Sequence, residues 1–396
     1  MNDVDYLKIR ISNFDSLWLD TCTRCGICID TCPLYVETRN IIFTPIKRVS
    51  LLLNMLRRSK VKKQKILETD DFINAVFGCL LCDRCSRTCP FGIRFSEVML
   101  NLRTACYENK LIPRNLILLE KFLSENHNPY GIDPKNRLEY IRMTGYLKNE
   151  FVDKNEVEVI YFPGCTASYI PESQKIVLST IKILDKMKLN WSLMSDERCC
   201  GKPLHVLGNN ILLMEFADHN FKQIIKRKAK YVVTNCPTCR STLKYLYPKL
   251  LKKKMPFEVL HVLELVYQKI RKGELKIEKK LKERITYHDP CDFARFGEML
   301  NEPRYILSNI SKNFAEMPDN RLNTLCCGGG GLLEAYDNNL RSYITKKRIE
   351  QAISVNAEIL VVSCPACKMY LDYISKAIKS SLKVVDMTEI IADLLE

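Results

Sequence analysis

The stretch "AKYVVTNCPTC" at residues 229–239 returns as "AEILVVSCPAC" at residues 357–367. In both copies a short apolar run, rich in β-branched residues, leads into a cysteine, a proline and a second cysteine two residues after the proline. Such a run is typical of a buried strand, and proline is favoured in the first turn of a helix. The two copies therefore predict a strand–cysteine–helix unit that occurs twice in an α/β fold.

The repeat extends well beyond these two stretches. "FEVLHVLELVYQKI" (257–270) aligns with "LKVVDMTEIIADLL" (382–395), and "EVIYFPGC" (158–165) with "RITYHDPC" (284–291). Apolar runs that alternate with helical patterns predict a parallel sheet in each half. Five cysteines recur in the same order: the first set is Cys165, Cys199, Cys200, Cys236 and Cys239, and the second set is Cys291, Cys326, Cys327, Cys364 and Cys367.

A separate repeat occurs near the N-terminus, where "CTRCGICIDTCP" (22–33) recurs as "CLLCDRCSRTCP" (79–90), displaced by 57 residues. The segments that follow have helical patterns. Thr44 is predicted to cap a helix that has Pro45 in its first turn and extends to residue 60, and Ser96 is predicted to begin another. The N-terminal region is therefore expected to be mostly helical.

The C-x2-C-x2-C-x3-C-P pattern of this repeat indicates cubane [4Fe–4S] clusters. Each motif wraps three thiolates around one cluster and gives its fourth cysteine to the other cluster. Zinc is the alternative, although zinc sites usually pair two C-x2-C knuckles. The predicted ligands are Cys22, Cys25, Cys28 and Cys89 for one cluster, and Cys79, Cys82, Cys85 and Cys32 for the other.

The cysteine pairs at 199–200 and 326–327 indicate a different kind of centre. Five sulfurs per half exceed the needs of one tetrahedral zinc ion, and adjacent cysteines do not readily meet disulfide geometry. Adjacent thiolates suit bridging or multi-iron ligation. Gly201, Gly328 and Gly329 are predicted to let the backbone approach a bulky cluster and donate N–H groups to its sulfurs.

The fold class expected from both repeats is α+β multidomain, a helical ferredoxin domain followed by two duplicated α/β domains. Its predicted parts are a ferredoxin-like domain at 1–110, a helical linker at 111–155, and two duplicated domains at 156–272 and 283–396.

Nineteen cysteines occur in this 396-residue chain, which begins without an apolar signal core. That number of thiols indicates a reducing compartment, so we expect a cytoplasmic protein. The formal charge is +15, but about 18 cluster-bound thiolates, together with four cluster cores of about +2 each, would lower it by roughly 10 units, and nucleic acid is not an expected partner. No segment is apolar enough to span a bilayer, so any membrane association is expected to be peripheral, at the cytoplasmic face.

The motifs "CCG" (199–201 and 326–328), "CPTC" (236–239) and "CPAC" (364–367) resemble those of the cysteine-rich CCG domain. With its ferredoxin part included, the chain resembles the D-type iron–sulfur subunit of heterodisulfide reductase and relatives such as the iron–sulfur subunits of glycolate, lactate and glycerol-3-phosphate dehydrogenases. In the disulfide-reducing members, a complete five-cysteine set implies a noncubane [4Fe–4S] cluster. Two such clusters face a cleft where the substrate disulfide is cleaved.

Two functions follow from the resemblance. Complete sets in both halves favour an oxidoreductase subunit that reduces or oxidises a small disulfide or thiol; the alternative is an electron-transfer subunit of a dehydrogenase complex that feeds quinone. No flavin or nucleotide motif is evident, so a flavoprotein or a membrane cytochrome or quinone-linked subunit is the expected partner. His288, three residues before Cys291, is a candidate proton donor, and a positioning hydrogen bond is its alternative role.

Overall fold

The computed structural model describes residues 13–57, 70–297 and 299–396. The chain divides into two compact units, each assembled from separate stretches of sequence. We call them the helical unit (1–119, 203–210 and 325–345) and the sheet unit (120–202, 211–324 and 346–396). The predicted boundaries at 156–272 and 283–396 differ from this division, because a segment of each predicted CCG domain belongs to the helical unit.

Helices dominate the N-terminal region, as its sequence predicts. Thr44 caps α3 by accepting a hydrogen bond from the Lys47 amide at 3.1 Å, and the predicted extension of this helix to residue 60 lies outside the described residues. The helices are α1 Asn13–Thr21, α2 Pro33–Thr38, α3 Pro45–Arg57, α4 Asp70–Phe77, α5 Arg84–Thr88, α6 Phe95–Glu108 and α7 Arg114–Asn126.

The predicted start of α6 at Ser96 is wrong by one residue. The helix begins at Phe95, after Arg94. The Ser96 hydroxyl donates to the Asp83 carboxylate at 2.7 Å instead of capping the helix. This bond connects α6 to the second ferredoxin motif, which a cap at the end of the helix would not do.

The first half of the repeat lies in the sheet unit, except for residues 203–210, which belong to the helical unit. Its strands are all parallel, in the order β2-β1-β3-β4. The elements from residue 139 are α8 Glu139–Met143, β1 Val159–Phe162, α9 Gly164–Tyr169, α10 Pro171–Lys186, β2 Trp191–Ser192, α11 Lys202–Leu207, α12 Asn210–Lys226, β3 Tyr231–Thr234, α13 Pro237–Ser241, a π-helix Thr242–Leu246, α14 Tyr247–Leu251, β4 Glu258–His261 and α15 Val262–Arg271.

The second half repeats this arrangement with parallel strands in the order β5-β6-β7. The counterpart of β2 is reduced to a single bridge between Ile285 and Phe314. The elements are β5 Ile285–Tyr287, a π-helix Asp292–Gly297, α16 Glu302–Ile310, α17 Leu333–Tyr336, α18 Asn338–Ser354, β6 Ile359–Val362, α19 Pro365–Ala377, β7 Lys383–Asp386 and α20 Met387–Leu395.

One apolar core joins the two halves within the sheet unit. It includes Tyr161 and Val233 from the first sheet together with Tyr287 and Val361 from the second. The segment predicted as a linker contributes Leu138 to the same core. Residues 120–155 are therefore part of the folded sheet unit, because they supply core side chains that a linker would leave in solvent.

In the described ranges of the chain, no helix combines the length and the apolar character needed to cross a membrane.

Candidate metal centres

The first predicted cubane set comes together in the helical unit. Cys22, Cys25, Cys28 and Cys89 line one cavity of about 290 Å³. Burial, together with the negative charges of Cys22 and Cys89, raises the pKa of Cys28 to about 11. The cross-assignment of Cys89 to the first motif therefore agrees with the position of the side chains.

The second predicted cubane set comes together in the same way. Cys79, Cys82, Cys85 and Cys32 line a cavity of about 430 Å³. Burial, followed by the charges of Cys82 and Cys32, raises the pKa of Cys85 well above the usual thiol value.

The two ferredoxin motifs share backbone features as well as cysteines. Arg24 and Gly26 in the first motif have positive φ angles of 58° and 91°, and Leu81 and Asp83, displaced by 57 residues, have 51° and 60°. Left-handed turns at these positions are rare for residues other than glycine. Both loops therefore adopt the same strained turn, which brings three cysteines of each motif to one side.

Two buried arginines flank the second cubane set. The Arg48 Nε donates to the Ala75 carbonyl at 2.8 Å, and an Arg103 nitrogen donates to the Cys79 carbonyl at 2.8 Å. Burial opposes their charge, and it lowers the pKa of Arg103 to about 10, while the charges of Cys79 and Cys32 keep the pKa of Arg48 raised. Both guanidinium groups remain protonated at neutral pH and would offset the negative charge of a bound cluster.

The glycine run after Cys327 packs on the second ferredoxin motif. A Cβ atom at Gly330 would lie 2.4 Å from the Leu80 carbonyl oxygen, and one at Gly331 would lie 2.0 Å from that of Cys79. The Gly331 carbonyl accepts a hydrogen bond from Arg103 at 2.7 Å. These two glycines thus allow a close backbone approach within the protein.

Segments that follow both cysteine pairs are anchored within the helical unit. Cys326 packs in an apolar core with Cys32 and Cys82 of the second cubane set. In the segment 203–210, a Cβ atom at Gly208 would lie only 2.6 Å from the Thr104 Cα atom. The second CCG pair therefore begins beside the ligands of the second cubane set.

All five cysteines of the first CCG set meet in the sheet unit. The sulfur atoms of Cys165 and Cys199 are 3.9 Å apart. The Cys199 thiol also hydrogen-bonds that of Cys200, which in turn contacts Cys239. Cys239 contacts Cys236, so one continuous series of sulfur contacts joins the whole set.

Hydrogen bonds lower the pKa of two members of this series well below the usual thiol value. Cys200 accepts hydrogen bonds from Cys199 and Cys239, and Cys236 accepts them from Cys239 and Cys364. The backbone amides of Lys202 and Cys239 donate to the same two sulfurs. Thiolates that are stabilised in this way are the form of cysteine that binds iron.

The peptide groups of the first cysteine pair are fixed by two side chains. Asn220 on α12 donates to the Cys199 carbonyl at 3.3 Å, and the Tyr247 hydroxyl donates to the Cys200 carbonyl at 3.1 Å. Asn220 also donates to the Tyr247 oxygen at 3.0 Å. Tyr247 begins α14 directly after the π-helix at 242–246, and such irregular turns are frequent at functional sites.

A buried ion pair connects the loops of Cys165 and Cys199. The Glu197 carboxylate accepts hydrogen bonds from Arg137 at 2.6 Å and from the Gly164 amide at 3.1 Å. Burial raises the pKa of Glu197 to about 7, although Arg137 opposes the shift. Arg137 comes from the segment predicted as a linker, which therefore contributes to the site.

The second CCG set is divided between the units. Cys291, Cys364 and Cys367 belong to the sheet unit, whereas Cys326 and Cys327 belong to the helical unit. Convergence of these five cysteines on one cluster stays a prediction from the sequence.

Within the sheet unit, the two Cys-Pro-x-Cys turns meet. The Cys236 thiol hydrogen-bonds the Cys364 thiol. Thr238 and Ser241 on α13 donate to the two carboxylate oxygens of Asp292 at 2.5 and 2.9 Å. The first half is thereby held against the turn that carries Cys291.

Matched ion pairs lie behind the two Cys-Pro-x-Cys turns. Arg240, which follows Cys239, pairs with Glu264 at 2.6 Å, and Lys368, which follows Cys367, pairs with Glu389. Each glutamate also accepts a hydrogen bond from the N-cap amide of its own helix, α15 or α20. The glutamates therefore fix the cysteine-bearing helices relative to the next helix of the same half.

The predicted cofactor-binding glycines have two different conformations. Gly201 and Gly328 have φ angles of +86° and +92°, and a Cβ atom there would lie 2.6 Å from Leu213 and 2.5 Å from the Thr345 hydroxyl. Gly329 has a φ of −78°, which any residue adopts. Their predicted role as N–H donors to a cluster stays a prediction.

His288 is fully buried and directly follows β5. Its Nδ1 accepts a hydrogen bond from the Arg348 Nε at 3.0 Å. Burial, reinforced by the positive charge of Arg348, lowers the pKa of His288 well below its usual value. The ring is therefore neutral, which favours the positioning role over that of proton donor.

Sequence reasoning missed the side chains that support the cysteines. Arg48 and Arg103 occupy ordinary helical positions, and Asn220 and Tyr247 lie 20 residues or more from the carbonyls that they contact. Only Glu197 had a local signal, because it precedes the cysteine pair by two residues.

The donor sets fit iron–sulfur clusters. Two cavities are each lined by four cysteines, and a third group joins five sulfurs in one series. Sets of four thiolates hold cubane clusters, and five sulfurs exceed the four ligands of a structural zinc site.

The comparisons with known proteins agree with this chemistry. The profile of the 4Fe-4S dicluster domain matches residues 18–93, and that of the CCG cysteine-rich domain matches 159–244 and 285–372. The D-type subunit of the dihydromethanophenazine:CoB--CoM heterodisulfide reductase of Methanosarcina barkeri is 31% identical over 392 residues, 95% of this chain and 94% of that protein.

More distant relatives are longer proteins. The EtfAB:quinone oxidoreductase of Syntrophomonas wolfei is 24% identical over 96% of this chain and 59% of its own length. The probable iron–sulfur-binding oxidoreductase FadF of Bacillus subtilis is 28% identical over 80% of this chain and 46% of its own length.

The fold, the cysteine sets and these relatives define an iron–sulfur electron-transfer subunit of an oxidoreductase complex. More particularly, the chain belongs to the family of the D-type subunits of heterodisulfide reductase. The family predicted from the CCG and ferredoxin motifs is confirmed.

Proposed function

We propose that this subunit reduces a small disulfide, or oxidises the corresponding thiols, with electrons that pass through the two cubane sets to the CCG sets. The observation that carries the proposal is the continuous series of sulfur contacts that joins five cysteines from Cys165 to Cys236. A complete ligand set supports a cluster at this position. A subunit that served only as an electron carrier would not need this further cluster in addition to its two cubanes.

The cysteines of the chain would bind the clusters, and neighbouring groups would hold those cysteines in place. When bound, an iron–sulfur cluster supplies single electrons, and reduction of a disulfide to two thiols consumes two electrons and two protons. Lys202 and Cys239 donate amide hydrogen bonds to the ligand sulfurs. Asn220 and Tyr247 hold the carbonyls of the cysteine pair in hydrogen bonds and so fix the backbone that carries two of those sulfurs.

The contact between Cys236 and Cys364 supports a noncubane cluster in each half and a substrate site beside both. It brings one predicted ligand from each CCG set into hydrogen-bonding contact. A disulfide bound there would have a sulfur ligand of either half within reach of each of its two sulfur atoms.

The packing of Cys326 supports an order for electron transfer. It shares an apolar core with Cys32 and Cys82, which belong to the second cubane set. Cys25, by contrast, is exposed in the first cubane set. Electrons from a partner would therefore enter at the first cubane and reach the second CCG set through the second cubane.

A second candidate function is electron transfer alone. The relatives named as an EtfAB:quinone oxidoreductase and as FadF favour it, since neither name includes a disulfide. In this case the partner would be a flavin-linked dehydrogenase of a hydroxyacid or of glycerol 3-phosphate, and quinone would accept the electrons. For the disulfide reductase, the partner would be a flavoprotein or a membrane cytochrome subunit at the cytoplasmic face.

A dye-linked assay separates the two functions. Anaerobically reconstituted protein, shown to contain its clusters, is mixed with a reduced viologen dye and a panel of small disulfides, and dye oxidation is followed. We expect turnover with at least one disulfide and its loss in the Cys200→Ser and Cys327→Ser variants.

Cys106→Ala is the matched control for these variants. Cys106 is a buried cysteine on α6 outside the four sets, and burial raises its pKa to about 12, so that the thiol stays protonated. The control should retain turnover. Cluster-loaded protein that reduces none of the disulfides would support electron transfer alone.

A further inference from the structure

An unpaired nitrogen is buried in the second half of the repeat. His288 is 0% exposed, and among the described residues its Nε2 has no hydrogen-bond partner. A buried polar group without a partner is destabilising, because it has lost its hydrogen bonds to water and gained none in return. Native proteins rarely leave one in place unless a ligand or water pairs with it.

The tautomer of this ring is fixed by Arg348. The Arg348 Nε donates to Nδ1 at 3.0 Å, while its terminal nitrogens donate to the Asp319 carbonyl at 2.6 Å and to the Thr324 hydroxyl at 3.1 Å. A guanidinium group has donors only and stays protonated. Nδ1 must therefore be the acceptor, and Nε2 carries the hydrogen atom.

The free donor lies beside a predicted cluster ligand. Within the sheet unit, a ring nitrogen of His288 and the sulfur of Cys367 lie within 4.8 Å of each other, and both residues are buried. Nδ1 already has its partner. Nε2–H is consequently the group that remains to pair with a sulfur atom.

In the first half of the repeat, the position equivalent to His288 carries no donor. Phe162, which precedes Cys165 by three residues as His288 precedes Cys291, ends the equivalent strand and is also fully buried. Tyr161 and Tyr287, one residue earlier, make equivalent hydrogen bonds to Asn235 and Ser363. The two strands are thus alike up to the position where phenylalanine replaces histidine.

We propose that, when the second CCG set holds its cluster, His288 donates a hydrogen bond through Nε2 to the Cys367 sulfur and raises the reduction potential of that cluster. A hydrogen bond to a ligand sulfur stabilises the more negative, reduced state of a cluster and raises its reduction potential. The proposal rests on the proposed function only in taking a cluster to be present in each set. His288 is a positioning residue here, since it acts on the cluster through Cys367.

The test is a redox titration of reconstituted protein, followed by electron paramagnetic resonance. His288→Phe copies the first half, and His288→Gln keeps a nitrogen donor at the end of the side chain. We expect His288→Phe to shift one CCG-associated midpoint to a more negative potential and to leave the other midpoints in place. His288→Gln should restore most of the shift, with iron and sulfide contents equal to those of the wild type.

Three results would overturn the proposal. An unchanged midpoint in cluster-loaded His288→Phe would show that no hydrogen bond from His288 sets the potential. Equal shifts of all midpoints would indicate a general structural effect. Loss of iron from the second set alone, with an otherwise folded protein, would make His288 a ligand instead of a donor. Pulsed resonance of protein labelled with 15N-histidine checks this last result, because an iron-bound nitrogen couples far more strongly than a hydrogen-bonded one.

Arg348→Lys provides an independent variant if His288→Phe does not fold. Without the Arg348 Nε donor, the Nδ1 atom of His288 can carry the hydrogen atom in place of Nε2. Nε2 then no longer donates to Cys367, so we expect the same negative shift of the midpoint potential. An unchanged midpoint in this variant would count against the proposed tautomer. The titrations need no disulfide substrate, so a failure of the disulfide reductase function and a failure of the hydrogen bond are separate outcomes.

Discussion

The buried side chain of Arg103 supports the second cubane set. Besides the Cys79 carbonyl, Arg103 donates to the carbonyls of Val76, Phe77 and Gly331. Its side chain therefore satisfies acceptors from α4, from the ferredoxin motif and from the glycine run. An arginine can do this because its donors form a rigid planar fork.

We predict that Arg103→Met destabilises the protein by about 3 kcal/mol or more, because several buried carbonyls lose their donor. It should also lower the potential of the second cubane by removing a positive charge. Chemical denaturation and a redox titration measure the two effects. Arg87→Met, at an exposed position, is the control and should change stability by less than about 0.5 kcal/mol. Equal stabilities of the two variants would contradict this role for Arg103.

At the scale of elements, the glycine run determines how residues 325–345 pack in the helical unit. We predict that Gly331→Ala destabilises the helical unit by at least about 2 kcal/mol more than Gly273→Ala destabilises the sheet unit, to which Gly273 belongs. Both glycines have similar φ angles, 67° and 71°, but a Cβ atom at Gly273 meets nothing within 4 Å, whereas one at Gly331 would lie 2.0 Å from the Cys79 oxygen. The Gly273 variant therefore isolates the backbone cost of about 1–2 kcal/mol.

Denaturation of both glycine variants provides the measurement, with the visible absorbance of the clusters recorded at each step. Similar losses of stability in the two variants would mean that the close approach at Cys79 does not stabilise the helical unit.

The cap of α20 predicts a dependence of stability on pH. Burial raises the pKa of Asp386 to about 7, despite hydrogen bonds from the amide and hydroxyl of Thr388. Because the folded pKa exceeds the unfolded one, the folded state binds more protons between about pH 4 and 7. Stability should therefore decrease as the pH rises towards 7 and be lowest, as far as this group is concerned, above it.

We predict that Asp386→Asn, which keeps a good N-cap residue, is more stable than the wild type at pH 8 and loses less stability between pH 6 and 8. Denaturation at pH 6, 7 and 8 measures this, and Asp393→Asn, at an exposed site on the same helix, is the control. Glu197 titrates in the same range with the same sign, so the difference between variant and wild type is the relevant quantity. If the stability of the variant changed with pH as steeply as that of the wild type, Asp386 would be ruled out as the cause of the pH dependence.

Much of the architecture could be predicted from the repeats in the sequence and from residues that begin or end helices and strands. The apolar runs before Cys165, Cys236, Cys291 and Cys364 are β1, β3, β5 and β6, and the sheets are parallel as expected. Strands β4 and β7 were missed, although their sequences were recognised as a repeat, because each is immediately followed by a helix with its own apolar pattern. Local sequence does not show where such a continuous pattern changes period.

The cysteine sets are the part of the candidate site that the sequence could predict, and their role as cluster ligands stays a prediction. Spacing specifies which sulfurs belong together within a motif, and the two cubane sets follow from it. Arg103, Arg137 and Arg348 could not be found in this way, since a buried arginine is recognised only by distant carbonyls and carboxylates. Their positions depend on tertiary packing that a single sequence does not reveal.

For the molecule as a whole, metal removal should change its surface charge. Loss of four clusters would let about 18 thiolates take up protons and remove core charges of about +8 in total, so the net charge should rise by roughly 10 units towards the formal +15. We predict that chelator-treated protein elutes from a cation exchanger at higher salt than the reconstituted protein. Elution at the same salt concentration would mean that few of the cysteines hold clusters.

The composition of the helical unit has a consequence for synthesis on the ribosome. Residues 1–119 emerge first, but the Gly331 carbonyl that pairs with Arg103 and the glycines that cover the Cys79 peptide belong to 325–345. The nascent ferredoxin region therefore remains incomplete while more than 200 further residues are translated. During that interval the second cubane motif stays uncovered on this side, which leaves time for iron and sulfide to be delivered before the last segment closes over it.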